Sequence, residues 1–361
     1  MRDSALLRII RYTLAVCTIL VSVLSICVYI NARHEGSFAI SGFYGLFQPI
    51  LILTSFLLFI YWVIRLSPMA IIPLLAIILN WGFISSSYQL PLSRKTISKT
   101  GKISFHLATY NVQGFKIGNQ RAMTVDVVSD FMEEKKVDVL CLQEVDFDST
   151  YTIDSIAKAF HKRMPYYTYA LSPKPGFHLM VMSRFPIIRS MHFHFGQEGN
   201  QAMQTDLVIE GDTIRLFNFH LQTTNFNQTK FEIVPENWLW NIHGEAKKST
   251  TVYNILQHNY QKRTVQADFI RKQIAATTYP ILSCGDMNSI PSSYTYFQMK
   301  GPLKDGFKTA GRGYEYTLLG LYRLYRVDYI FHSKDFDGYS YQSYKLRYSD
   351  HKPVVMGVTF K

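Results

Sequence analysis

Acids, amides and histidines recur at the ends of apolar runs in the C-terminal part of this 361-residue chain. "ILSCGD" stops at Asp286 and Asn288 follows two residues later; "LATYN" stops at Asn111, "VLCLQE" at Glu144 and "LFNFH" at His220. "RVDYIF" carries Asp328 inside an apolar run, and "YSDH" sets Asp350 and His351 just ahead of "KPVVMGVTF". Side chains two apart on an extended chain share a face, so Asp286 and Asn288 would project together from a strand end. Singly, each has an ordinary explanation: Gly, Asp and Asn favour turns, and a glutamate can cap a helix. Jointly they ask for more, because a charged or amide side chain at a strand end costs desolvation unless it is paired or bound to a cation. Oxygen ligands without cysteine favour a hard cation, and magnesium takes one or two carboxylates while keeping waters for a phosphate. Histidine beside such a group suits proton transfer near neutral pH. The set fits hydrolysis of a phosphate ester.

These residues need a scaffold of strands. From Ile103 onward, short apolar or alternating runs recur, and helix-like stretches lie between several of them, notably Ala122 to Glu134 and Gln257 to Ala276. Strands alternating with helices indicate an α/β layered domain. Thr223 to Lys262 resists this pattern: it is polar, holds Trp238 and Trp240, and is long for a structureless connection. It is expected to be a surface excursion with a little helix of its own, the alternative being a contact with substrate or membrane.

"TYNVQG", "LCLQEVD", "FHLMVMSRFPI", "FNFHLQT", "CGDMNSIPSSYTY", "RVDYIF" and "YSDHKPVV" follow one another from Thr109 to Val355. Their order resembles the endonuclease/exonuclease/phosphatase superfamily, the DNase I-like fold, over residues 103–361. The resemblance implies a four-layered α/β sandwich with two packed sheets and the site at one end. By motif, it implies that Glu144 ligates Mg2+ (or Mn2+), with Asn111 beside metal and phosphate and Asp350 helping to hold the metal. His220 would contact the phosphate, Asn288 would bind a phosphate oxygen, and Asp328 would orient His351. Either Asp286 or His351 would be the base. One departure stands out: "GFHLMVMSR" places His178 and the bulky Met180 where relatives carry small residues, which bears on substrate contacts near Arg184.

The first ninety residues differ in kind. Tyr12 to Ile30, Leu46 to Ile64 and Leu66 to Ile84 are apolar and contain no charged residue. About 20 such residues span a bilayer core. Residues 1–90 are therefore expected to be a transmembrane anchor of three helices, 91–102 a basic linker, and 103–361 the catalytic domain. A cleaved signal peptide is disfavoured, because the first apolar segment is too long and no small-residue cleavage site follows. Arg2, Arg8 and Arg11 precede the first segment, which puts the N-terminus in the cytoplasm and the catalytic domain on the extracytoplasmic side. Arg94, Lys95, Lys99 and Lys102 weigh the other way. The first 102 residues hold nine Lys and Arg against two acids, and the remainder 29 against 24. More than half of the net charge of +12 is thus beside the membrane, where it suits anionic lipid. No CxxC spacing among the four cysteines suggests zinc or a disulfide framework.

The expected function is a membrane-anchored phosphoesterase, nuclease-like in acting on phosphodiester bonds. The alternatives are a sphingomyelinase-like phospholipid phosphodiesterase and a non-catalytic binding module. An inositol polyphosphate phosphatase is disfavoured, because the run holding Asp328 lacks the "PAWxDR" pattern of that branch. Spans without internal charge argue against a channel. The expected partners are a nucleic acid or phospholipid substrate and the lipid bilayer, with no protein partner.

Overall fold

In the computed structural model, the described residues are 5–34, 42–90, 101–115, 121–149, 151–224, 242–320 and 323–361. Trp238, Trp240, Arg94, Lys95 and Lys99 lie outside them.

Two six-stranded sheets carry the C-terminal part. The first runs Phe336–Ser343, Val354–Phe360, Ile103–Asn111, Val139–Val145, His178–Ser183, Tyr166–Ala170 from edge to edge. The second runs Lys304–Asp305, Asp328–His332, Ile281–Asp286, Asp212–His220, Gln201–Ile209, Ile187–His194. Each sheet is antiparallel except for one central pair. Ile103–Asn111 pairs parallel with Val139–Val145, and Asp212–His220 parallel with Ile281–Asp286. A parallel pair needs a crossover, supplied by the helices Arg121–Glu134 and Ile242–Ala275. The C-terminal ends of all four central strands therefore lie at one end of the sandwich.

Alternation along the strands builds the layers. Phe105 and Leu107 face the other sheet, where Leu216, Leu282, Cys284 and Ile330 meet them in a core with no exposed member. Ala108 and Tyr110 face outward, against Val125, Val128 and Met132 of one helix and Ile156 and Phe160 of another. On the opposite side Ala267, Ile270 and Ile274 cover Phe217 and Phe219. The result is helix, sheet, sheet, helix, and each fully buried large apolar side chain contributes about 1.5–3 kcal/mol. The helix Ile242–Ala275 begins well before Gln257. The chain from Ile242 to Lys262, expected as part of a surface excursion with a little helix of its own, is helical throughout and continuous with the helix expected from Gln257.

The N-terminal part forms the helices Ala5–Asn31, Gln48–Ile64, Ile71–Leu79 and Trp81–Ser87. Two of its helical stretches, Ala5–Asn31 and Tyr44–Ile64, are long and apolar enough to cross a membrane; Pro68–Leu79 and Trp81–Ser87 form a third only as a pair bent by 61°. The break falls at Asn80. Its side chain donates to Ala76 O (2.8 Å) and accepts from Gln48 Nε2 (2.6 Å), which also donates to Ser25 O (3.1 Å). Such polar contacts tie apolar helices together where no hydrophobic effect can. Trp62 Nε1 donates to Thr18 Oγ1 (2.8 Å) at the other end of the bundle. A Cβ on Gly82 would sit 1.8 Å from the Tyr29 hydroxyl, so glycine permits the close approach there.

Candidate active site

Parity along the strands explains most of the site. Asn111 shares the face of Phe105 and Leu107, His220 that of Ile214 and Leu216, Asp286 that of Leu282 and Cys284, and Asp328 that of Ile330. The inter-sheet core thus continues at one end as polar side chains. Glu144 is the exception, since parity would send it outward with Leu140 and Leu142. A register shift between Leu142 and Val145, with Glu144 at φ 52°, turns it back to the others.

Asp286 is the hub and is 1% exposed. Its Oδ2 accepts from Asn111 Nδ2 (3.1 Å) and Asn288 Nδ2 (3.2 Å), and its Oδ1 accepts from the Asn288 backbone N–H (2.8 Å). Asn288 adopts φ 49°, so the "GDMN" stretch is both strand end and turn. Gly285 is required before it: φ is 148°, and a Cβ would stand 2.0 Å from Phe219 O. Asn111 Nδ2 also donates to Glu144 Oε1 (3.0 Å). His220 Nε2 lies 3.3 Å from Glu144 Oε1 and 3.6 Å from Asp286 Oδ2. His351 Nδ1 donates to Asp328 Oδ2 (2.9 Å), while its Nε2 points to Asp286 Oδ2 at 3.7 Å. Asp350 sits on the rim, its side chain 36% exposed, with Oδ1 3.9 Å from His351 Nε2.

Among the described residues these acids have histidines, and no arginine or lysine, within salt-bridge distance. Burial pushes Asp286 up to about 6 and raises Glu144 as well. Burial lowers His220. Burial alone would also lower His351, but the Asp328 and Asp286 carboxylates hold it well above its usual value. Glu144, His220 and Asp286 bring ligand atoms within 4.8 Å of one another, as do Asp286, Asp328 and His351. Neither ring nitrogen of His220 nor Oδ1 of Asp328 has a hydrogen-bond partner among the described residues.

Two residues absent from the sequence expectations hold the bulge that aims Glu144. Asn218 Nδ2 donates to Leu142 O (3.0 Å) and Met180 O (3.1 Å), and its Oδ1 accepts from Gln143 Nε2 (2.7 Å). Asn218 lies two before His220 on the same face, which was the available signal. His178 is a packing residue: its Nδ1 accepts from the Ser172 N–H (2.8 Å) and its ring lies 4.6 Å from that of Phe147. Arg184 pairs with Asp138 (3.1 Å) at the opposite end of the sandwich, so it makes no contact with the site.

The profile of the Endonuclease/Exonuclease/phosphatase family matches residues 108–351, which contain every residue of this cluster. The chain belongs to that family. A family described as a domain of unknown function (DUF8431) matches residues 7–87. No curated protein matches by sequence. Among solved structures, an endonuclease/exonuclease/phosphatase from Beutenbergia cavernae is similar at 16% identity and TM-score 0.53, covering 71% of this chain and 72% of its own. TDP2 from C. elegans is similar at 16% and 0.51, covering 73% and 77%. A humanized D. rerio TDP2 is similar at 16% and 0.50, covering 71% and 99%. At these identities the likeness concerns the fold, which is the DNase I-like sandwich.

Proposed function

We propose that this family member is a membrane-anchored, divalent-metal-dependent hydrolase of phosphodiester bonds. One observation carries the reading: Glu144 and Asp286 are enclosed carboxylates with no arginine or lysine partner among the described residues, and they face unpartnered atoms of His220 and Asp328. A buried acid without a compensating cation is costly, and these oxygen donors fit magnesium or manganese. Glu144 would hold the ion, with Asn111 beside it and Asp350 completing the set from the rim. When bound, the ion supplies positive charge to the phosphate oxygens.

The residues divide the proton work. Asp286, raised by burial yet ionised at neutral pH, accepts a proton from the attacking water. Asn288 keeps that carboxylate aimed, and its Nδ2 would exchange its bond to Leu221 O (3.2 Å) for one to a phosphate oxygen. His220, neutral through burial, presents Nε2–H to the phosphate. His351, held protonated by Asp328, donates to the leaving oxygen. Water oxygen bonds to phosphorus, one P–O ester bond breaks, and the products are a phosphomonoester and an alcohol. Asp286 rather than His351 is thus the base.

The apolar helices serve as anchor. Arg8, Arg11 and Arg65 lie at the end of the bundle away from the sandwich, which by the positive-inside rule is the cytoplasmic end. Detergent-solubilised full-length protein should hydrolyse bis(p-nitrophenyl) phosphate with magnesium, lose activity in EDTA and regain it on adding magnesium back. Glu144→Gln should raise the magnesium needed for half-maximal rate by about tenfold or more. Full activity in EDTA would refute the metal assignment.

A further inference from the structure

The helical bundle stands on the active-site end of the sandwich. Three of its chain ends meet loops that lead from the site strands. The carbonyls of Gly45 and Leu46, entering the second apolar helix, accept from Ser292 Oγ (3.3 Å) and Tyr325 OH (2.8 Å). Ser86, ending the bent pair, accepts at its carbonyl from Arg326 Nη1 (3.0 Å), and its hydroxyl lies 3.0 Å from Tyr296 OH. The C-terminal end of the first helix packs Tyr29 against Phe297, with ring centroids 5.7 Å apart. Ser292 follows Asn288 by four residues, and Arg326 precedes Asp328 by two. Arg326 is 1% exposed and forms a two-pronged pair with Asp305 (2.8 and 2.7 Å). This junction is a buried, hydrogen-bonded joint, not a loose tether.

Chain connectivity does not impose this placement. Lys102 N donates to Phe360 O (2.8 Å), so the sandwich is entered at the end opposite the site. Packing, not the linker, turns the site toward the bundle.

The joint also fixes how often the chain crosses. The segment entering the second helix lies across the bundle from Ala5, and the sandwich bonds to that segment. If the first two helices span, the bent pair must cross as well to return Ser86 to the same side. The sandwich then sits opposite the N-terminus.

One strip of chain joins the site to this membrane-side junction. Leu319 N donates to Asp350 O (2.8 Å) and Leu318 bridges to His351, while Glu315 N donates to Ser87 O (2.9 Å) and Tyr314 pairs with Tyr88. Tyr314 and Tyr88 are each 44% exposed, and Tyr44 and Phe47 on the bundle 43% and 45%. Half-exposed aromatic rings beside apolar helix ends favour the headgroup level of a bilayer. Exposed Arg312 and Arg323 on the strip add positive charge suited to lipid phosphate.

We infer that the site opens at the bilayer surface and takes its phosphodiester from a lipid headgroup. This rests on the hydrolase reading above and narrows its substrate. Lipid and water would give a phosphomonoester and an alcohol, and the diacyl-bearing product stays in the membrane.

The test uses full-length protein in phosphatidylcholine/phosphatidylglycerol nanodiscs with magnesium, offered three substrates: bis(p-nitrophenyl) phosphate, the nanodisc lipid, and single- or double-stranded DNA and RNA. Headgroup release that outpaces nucleic-acid cleavage is expected. Turnover of the soluble ester with lipid untouched, or faster cleavage of nucleic acid, overturns this inference and leaves the hydrolase reading standing. No turnover of any substrate fells both. A second readout needs no catalysis. Bimane on Arg323→Cys, with the exposed Cys17 and Cys27 replaced by serine, should be quenched several-fold more by headgroup-nitroxide lipid than bimane on Lys361→Cys at the far end. Equal quenching overturns the placement.

Discussion

Asp138 and Asp286, buried acids at opposite ends of the sandwich, are held in opposite ways. At the end remote from the site, Asp138 is held by Arg163 (2.7 Å) and Arg184 (3.1 Å), and Asp206 by Arg215 (2.8 Å). At the other end, Asp286 and Glu144 sit among amides and histidines with no guanidinium or ammonium within salt-bridge distance among the described residues. A carboxylate is paired with guanidinium groups where it serves stability, and is faced only by imidazoles and amides at the candidate site. Burial alone therefore does not mark the candidate site; burial among imidazoles and amides, without an arginine or lysine pair, does.

The largest expected effect lies in the His351–Asp328 pair. Removing positioned acid–base catalysis costs about a hundredfold to ten-thousandfold, and groups that act as a unit are strongly non-additive. His351→Ala should lose turnover on that scale, and adding Asp328→Ala should cost little more. Fully multiplicative losses in folded variants would break the pairing. A smaller loss is expected from Asn218→Ala, which strips Leu142 O and Met180 O of their donors. Unmaking such buried bonds costs about 1–3 kcal/mol, and slackened aim of Glu144 should lower kcat by about tenfold. A lower melting temperature with unchanged kcat would show that the bulge serves stability alone.

The acid limb of the pH profile sharpens the contrast further. In the proposed mechanism Asp286 works as a carboxylate, and burial has moved it up to about 6. Activity should therefore hold at neutral pH and fall as pH drops through about 6, by about tenfold per unit once the carboxylate is protonated. Bound metal would move that limb lower. A rate that rises on acidification would rule out Asp286 as the base.

Much of this was legible in sequence because the site is an extension of the inter-sheet core. Asn111, His220, Asp286 and Asp328 keep the two-residue period of the apolar side chains before them, so type and spacing together announce them. Glu144 was legible by type, but its orientation was not, since a one-residue bulge reverses the face that parity assigns. The Arg326–Asp305 pair and the Asn218–Gln143 contact join residues 21 and 75 apart, and nothing local in either segment points to its partner. The early start of the helix at Ile242 was hidden by a polar stretch without a continuous apolar face. Asn80 was visible as a polar residue in an apolar run, yet the 61° bend at it depends on packing against Gln48 of another helix.

The two ends can be set against each other in one experiment: Asp286→Asn and Asp138→Asn, each measured for magnesium-dependent turnover of bis(p-nitrophenyl) phosphate and for melting temperature. Neutralising Asp286 removes a charge that burial disfavours, so turnover should fall by about a hundredfold or more while the melting temperature holds or rises. Neutralising Asp138 strands Arg163 and Arg184, both partly exposed, so about 1–2 kcal/mol of stability should go with turnover kept. Loss of stability at Asp286 with activity retained, or lost turnover at Asp138 in a folded variant, would contradict the account.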